Sequence, residues 1–424
     1  MLIDFSVANH LSFFEKGTLS LLASSSIKEP DKDNHVFTDT LGKYTLLKSV
    51  VIYGANGSGK SNLLKSIRFM KAFLLDSYKN ALGEGMNIPV QRFALNSAAD
   101  EEPAFFEINF ILDEKRYRYG FELDNEKVIS EWLFYVNTIR EIELFTRDEK
   151  GISVKTPFKE GKGLENKTKQ NVLFLTRAAH DNGKIASKVI DWFKNIRFVS
   201  GLQDVAYRQY TIDKIKNNPV FKKQLLDWIP FLDIENITSE TNAPMDLPKS
   251  IQDAALKSVL QRFGQQQDKL LTWHKKFDAN GVEIDRITFD FESQESEGTQ
   301  KIISLLGPWL DALENGRILI VDEMDARLHS LLTKQLIDWF HTANPNHAQL
   351  IFVAHDTHLL TKDVFRRDQI WFTEKNRFGA TELYSLLEYK EAAVRSETAF
   401  DKNYLKGKYG AIPQLDGIQK NLFC

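Results

Sequence analysis

Residues Gly54-Ala55-Asn56-Gly57-Ser58-Gly59-Lys60-Ser61 form a complete phosphate-binding loop, a motif that works only between a buried strand and a helix. Both are written into its flanks. Ser49-Val50-Val51-Ile52-Tyr53 is a short run rich in β-branched residues, as a buried strand requires. After the loop, Leu63, Leu64, Ile67, Met70 and Leu74 recur at helical spacing, which predicts a helix over 61–75. Glycines at 54, 57 and 59 let the backbone curl until its N–H groups face an anion. The helix N-terminus adds positive potential. Lys60 is expected at the β- and γ-phosphates of a nucleoside triphosphate, and the Ser61 hydroxyl on Mg²⁺. Asn56 joins Gly54, Gly57 and Gly59 in the predicted nucleotide-binding set.

At 424 residues the chain can build a large core or two lobes. Its 55 basic and 58 acidic residues leave a net charge of −3, which argues against a general polyanion binder but leaves local basic patches open. The single cysteine is Cys424, so a disulfide framework or a cysteine zinc site within the chain is excluded, and a reducing compartment is the natural setting. No run approaches the roughly 18 apolar residues of a membrane span. The opening Met1-Leu2-Ile3-Asp4-Phe5-Ser6-Val7 reads as a strand, not a signal peptide. A cytoplasmic protein without a membrane segment is expected.

Along the chain, 24–40 is polar and reads as loop. Segments 106–112 and 116–123 alternate about an Asp113-Glu114 turn, a hairpin signal, and strands continue over 132–137 and 141–146. The Lys- and Gly-rich stretch 151–170 reads as an exposed loop. A helix over 185–193 and a strand over 196–200 follow. Segment 203–267 has a helical pattern broken by Pro230, Pro244 and Pro248, without a heptad run, and reads as a short helical lobe. Segments 270–277 and 284–291 flank Asp278-Ala279-Asn280-Gly281, a second hairpin. The expected division is an N-terminal lobe with the phosphate loop and a β-rich insert at 1–202, the helical lobe at 203–267, a C-terminal lobe at 268–395, and a tail at 396–424.

Three later segments carry chemistry. Ile318-Leu319-Ile320-Val321-Asp322-Glu323 is an apolar strand ending in two acids. Asp322 suits Mg²⁺, and Glu323 suits the attacking water. Alone, the run could be a buried strand with solvated acids at its exit; beside a phosphate loop it reads as the second half of a nucleotide site. Ser293-Gln294-Glu295-Ser296-Glu297-Gly298-Thr299-Gln300 precedes a helical segment at 301–313. Ser296 and Gly298 there could bind a γ-phosphate, or Ser296 could be a plain N-cap. Ile351-Phe352-Val353-Ala354-His355-Asp356 is an apolar strand that ends in a histidine, placed to contact the γ-phosphate or simply to terminate the strand.

The order of these segments resembles the ABC-type ATPase head of the RecF, SMC and OLD-like group. The opening Ile3-Asp4-Phe5-Ser6-Val7-Ala8-Asn9-His10-Leu11-Ser12-Phe13 is similar to that group's first strand. Stand-alone phage-defence ATPases of the RloA and AbiLi type are closer still, through Tyr117-Arg118-Tyr119-Gly120-Phe121, His274-Lys275-Lys276-Phe277-Asp278, Glu295-Ser296-Glu297-Gly298-Thr299 and Gly407-Lys408-Tyr409-Gly410-Ala411-Ile412-Pro413. The resemblance implies an α/β fold, an ABC-type P-loop head with a β-rich N-terminal lobe and a helical insertion. It implies ATP and Mg²⁺ as cofactors, with Ser61 and Asp322 at the metal and Glu323 and His355 as catalytic residues. It also implies two heads meeting head to tail, singly or as an assembly of dimers, so that ATP lies between Lys60 of one copy and Ser296 with Gly298 of the other. Asp325, followed by Leu328 and His329, matches the loop that crosses this interface. The group's glutamine loop is expected near 174–182, where His180 or Asn182 would replace the glutamine, or elsewhere in the chain.

The leading expectation is an ATP-driven switch in anti-phage defence that controls a separate effector protein, by preference a nuclease. A RecF-like ATPase acting directly on DNA is the alternative, with nucleic acid as ligand. A transporter cassette fits less well, and a nuclease in its own right has no metal cluster to support it. Phe400, Tyr404 and Tyr409, interleaved with Lys402, Lys406 and Lys408, read either as a docking surface or as a tail folded onto the head.

Overall fold

The computed structural model describes residues 1–27, 30–39, 42–80, 87–136, 140–202, 205–241, 268–389 and 400–413. Two compact units emerge. The first comprises Met1–Gly201, Ala312–Asp325 and Ser330–Cys424; the second comprises Leu202–Asp311 and Ala326–His329.

Two large sheets build the first unit. One has six strands, in the order Ile196–Ser200, Ile318–Asp322, Gln349–Val353, Ser49–Gly54, Ile370–Lys375 and Thr381–Ser385. The first five are parallel, and Thr381–Ser385 closes the edge antiparallel. Every residue of Ser49–Gly54 and Gln349–Val353 is buried, which suits parallel strands covered on both faces. The other sheet is antiparallel, with seven strands in the order Gly151–Val154, Glu141–Asp148, Val128–Val136, Lys115–Leu123, Ala104–Leu112, Leu2–Ala8 and Gly17–Ser20. Helix Lys60–Asn80 contributes Leu63, Leu64, Ile67, Met70 and Leu74 to a core shared with strands of both sheets. That stripe is the apolar face predicted from the sequence, continued to Asn80.

The second unit holds helices Val205–Asn217 and Pro219–Trp228, a sheet of Asn236–Thr241, Asp268–Phe277 and Glu283–Asp290, and most of helix Glu297–Asn315. Pro308 lies inside that last helix and has no N–H for the carbonyl of Ser304, four residues earlier. Thr211 Oγ1 donates to that carbonyl instead, at 2.6 Å.

Three expectations need correction, and the choice between two readings of the tail aromatics is made by burial. The 24–40 loop contains a 3₁₀ turn, Pro30–His35, and a strand, Val36–Thr38, which pairs with Thr45–Leu47 and buries Phe37 against Leu46. The 151–170 stretch opens with the edge strand Gly151–Val154 and buries Phe158 completely against Phe145 and Phe174, despite its polar composition. The 203–267 lobe is not wholly helical. Asn236–Thr241 is a strand, seated by buried Ile237 and paired with Asp268–Phe277; residues 242–267 lie outside the described residues. Of the two readings of the tail, its aromatics follow the folded one. Phe400, Tyr404 and Tyr409 are buried, and Tyr404 stacks on Phe372 at 5.5 Å. Lys402, Lys406 and Lys408 are left exposed, while 390–399 and 414–424, with Cys424, lie outside the described residues.

Candidate functional site

The strand order brings the predicted residues to one end of the parallel sheet. Gly54 ends its strand, Asp322 ends the next but one, and His355 stands two residues past Val353. Ligands of open α/β sheets bind outside these carboxyl ends. A cavity of about 600 Å³ opens there, lined by residues 56–62 together with Glu323 and His355, all of the first unit.

The loop is held from below and from the side. Lys60 is buried, and its ammonium donates to the carbonyls of Gly54 at 2.7 Å and Ala55 at 3.0 Å. Burial lowers its pKa, and the carboxylates of Asp322, Glu323 and Asp325 oppose that fall. The acids at the strand end thus offset part of the desolvation of a lysine placed to meet phosphate. Gly59 has φ +113°, and a side chain there would overlap Thr381 and Ser12. Ser58 Oγ meets Thr373 Oγ1 at 2.7 Å, and Thr381 Oγ1 donates to the Ser58 carbonyl at 2.8 Å. The sequence reading missed Thr373 and Thr381. Their strands lie beside the loop only after folding, and a threonine in a strand carries no local signal.

Ser61 Oγ donates to Asp322 Oδ1 at 3.2 Å. A hydroxyl and a carboxylate are hard oxygen donors, and Mg²⁺ commonly takes one or two such groups beside phosphate and water. This pair fits that ion. Among the described residues, no group of three or more His, Cys, Asp or Glu could hold a metal alone.

Glu323 takes φ +53°, a left-handed conformation that a non-glycine residue rarely adopts. The next N–H, of Met324, donates to the carbonyl of Val353 at 3.1 Å. Asp325 does not simply project outward. Its Oδ2 accepts the backbone N–H groups of His355 at 2.7 Å and Asp356 at 2.5 Å. Tyr53 adds a brace by donating to the Asp356 carbonyl at 3.0 Å. Burial raises the Asp356 carboxyl, but hydrogen bonds from Ser330 and His358 outweigh it and leave the pKa lowered. His355 itself is exposed at the mouth of the cavity.

Ser296 and Gly298 lie in the second unit. Ser296 Oγ accepts the Thr299 N–H at 3.1 Å, so the serine does cap helix Glu297–Asn315, and it is exposed. Gly298 has 3.4 Å between its missing Cβ position and the nearest atom, the Arg327 carbonyl. Capping and anion binding use the same helix end, and the exposed serine leaves both open.

The glutamine-loop expectation at 174–182 does not agree with the geometry. His180 packs against Tyr78 with ring centroids 4.1 Å apart. Tyr78 is 17 residues beyond Ser61 on the same helix, about 25 Å at the helical rise. Asn182 turns the chain between helices Phe174–His180 and Lys184–Lys194. The strand that ends beside Asp322 is Ile196–Ser200, with Ser200 opposite Asp322. The glutamine that follows it in sequence, Gln203, lies outside the described residues.

No helix among the described residues is long and apolar enough to cross a membrane. Comparison with curated proteins finds no match. Among solved structures, the SMC head domain from Thermotoga maritima is similar at 12% identity, over 91% of this chain and 98% of that one, with a TM-score of 0.41. An SMC head bound to the C-terminal winged-helix domain of ScpA is similar at 14% identity, over 91% and 97%, with a TM-score of 0.44. The family described as "AAA domain, putative AbiEii toxin, Type IV TA system" matches residues 49–361. That span covers the phosphate loop, the acidic strand end and His355, together with three adjacent strands of the parallel sheet that carry them. The chain belongs to this AAA-domain family.

Proposed function

We propose that the protein binds and hydrolyses ATP with Mg²⁺ and works as a dimeric switch in abortive-infection defence, governing a separate effector such as a nuclease. The observation that carries the ATPase part is the convergence of Lys60, Ser61, Glu323 and His355 on one cavity, with Asp322 bonded to Ser61 at its edge. Backbone N–H groups of 56–60 and the Lys60 ammonium bind the phosphates. Ser61 and Asp322 would hold Mg²⁺, which would neutralise phosphate charge. Glu323 orients water and accepts its proton as the water oxygen attacks the γ-phosphorus; ADP leaves with the bridging oxygen. His355 steadies the γ-phosphate.

The dimer is supported by the family resemblance and by the exposed serine that caps helix Glu297–Asn315. A second copy offering Ser296 and Gly298 completes the site, with Asp325 at the crossing. ATP then favours the paired state and hydrolysis favours release, a population shift that an effector can read. The defence role rests on the family and on the RloA and AbiLi resemblance.

The test has two arms. Purified protein should hydrolyse ATP in a Mg²⁺-dependent way, and Lys60→Ala should not; equal rates would remove the site assignment. Cells expressing the chain with its neighbouring genes should survive or abort phage infection differently from cells carrying Lys60→Ala. If instead DNA alone stimulates turnover, with steep salt dependence, the protein is a DNA-maintenance ATPase.

A further inference from the structure

We infer that Gly201 is a positioning residue of the hydrolytic site, because only a residue without a side chain lets the neighbouring strand hold Glu323 in its left-handed turn. The inference rests on the reading of Glu323 given above.

Strand Ile196–Ser200 runs parallel to Ile318–Asp322, and their last paired residues are Ser200 and Asp322. One step further, Gly201 faces Glu323. The Gly201 N–H donates to the Asp322 carbonyl at 2.6 Å. A Cβ on Gly201 would fall inside van der Waals contact of the Glu323 carbonyl oxygen and carbon, and of the Asp322 oxygen. These are backbone atoms of the acid pair, so no flexible side chain can swing aside.

Glu323 carries the strain on the other side of this contact. Its φ of +53° is disfavoured for a residue with a Cβ, and such a conformation persists only where the surroundings over-determine it. Two neighbours do so. Gly201 clamps the peptide before Glu323, and the Met324 N–H, bonded to the Val353 carbonyl, clamps the peptide after it. Met324 is itself fully buried. Glu323 is thus held between two fixed peptides at the wall of the cavity that it lines. The requirement for glycine at 201 comes from this close approach and not from its own dihedral angle, which lies outside the left-handed region. Gly201 is also the last residue of the first unit before the chain passes to the second.

Lys60 and Ser61 stand on a different strand-turn-helix, so moving Glu323 should spare nucleotide binding. Gly201→Ala is expected to bind a fluorescent, non-hydrolysable ATP analogue within about threefold of the parent and to lower kcat by roughly 10- to 100-fold, the effect of an ångström-scale misplacement. Because Gly201 acts through Glu323, adding Gly201→Ala to Glu323→Gln should slow turnover no further. Val199→Ala, a buried change on the same strand, should cost stability but keep kcat. If Glu323→Gln is slow and Gly201→Ala turns over like the parent, or loses analogue binding in parallel, the inference is overturned while the ATPase reading stands. If Glu323→Gln itself turns over normally, both fall. Should Gly201→Ala fail to fold, the double variant Gly201→Ala with Glu323→Gly, which frees the backbone at 323, should recover folded protein; failure to recover overturns the steric link.

Discussion

Asp325 and His355 are joined through the backbone: the Asp325 carboxylate accepts the His355 N–H at 2.7 Å, and the Asp356 N–H with the same oxygen. The loop after the acidic strand and the loop after the histidine strand are therefore one mechanical piece. Asp325→Ala should release both N–H groups and remove about 2–3 kcal/mol of anchoring, the usual range for hydrogen bonds to a charged acceptor. Turnover should fall by roughly 10- to 100-fold through misplacement of His355. Asp325→Asn, which keeps one acceptor oxygen, should fall in between. Steady-state ATPase assays on the three proteins check the order.

Lys60→Ala removes the buried ammonium that faces the phosphates. Nucleotide affinity should drop by roughly 10- to 100-fold, the worth of a charge-assisted hydrogen bond. Isothermal titration with an ATP analogue measures it. Unchanged affinity would place the phosphates elsewhere.

Glu323→Gln keeps the shape of the side chain and loses its basicity. ATP should still bind, while hydrolysis slows by about 100-fold or more, as expected for loss of a general base. The variant should accumulate as a dimer with ATP and return to monomer without it, which light scattering after size exclusion would show. A monomer under both conditions would contradict the two-copy site.

His10 gives the fold a pH dependence. Ser66 Oγ donates to the Asn62 carbonyl, so His10 Nδ1, 2.8 Å away, must donate to Ser66. Burial against Phe69 and Phe106 lowers the His10 pKa from 6.5 to about 4. The unfolded chain binds this proton first, so stability is retained above pH 6.5 and declines as the pH falls towards 4. The decline from this group alone is about 3 kcal/mol. Chemical denaturation at pH 7 and pH 4.5 should show it, and His10→Asn should flatten the difference.

Tyr404 lies between Tyr53 and Phe372 and donates to the Ala411 carbonyl. Tyr404→Ala should destabilise the first unit by about 3 kcal/mol, typical of deleting a buried aromatic. A change confined to partner binding, with thermal stability untouched, would restore the docking-surface reading.

What could be read from the sequence was local. The phosphate loop, its helix stripe and the Ile318–Asp322 strand each declare themselves within a dozen residues. Residues that act through neighbours declared nothing. Gly201 looks like an ordinary strand terminator until Glu323 is placed against it. Phe158 sits in a Lys- and Gly-rich stretch whose composition hides one deeply buried ring. Chain distance points the glutamine loop to 174–182, whereas sheet adjacency to Asp322 selects the strand ending at Ser200. The tail aromatics were ambiguous because burial and display use the same residues.

The threonines that brace the phosphate loop have a consequence for synthesis. Ser58 meets Thr373 across 315 positions of chain and Thr381 across 323, and Leu2 donates to Gln349 across 347. Chains fold slowly when such distant pairings must close, and N-terminal parts emerge first from the ribosome. The segment carrying Lys60 must wait for strands Ile370–Lys375 and Thr381–Ser385 before its braces exist. A ribosome-bound chain stopped short of residue 385 should be blind to nucleotide, and binding should begin only once both threonine strands have emerged.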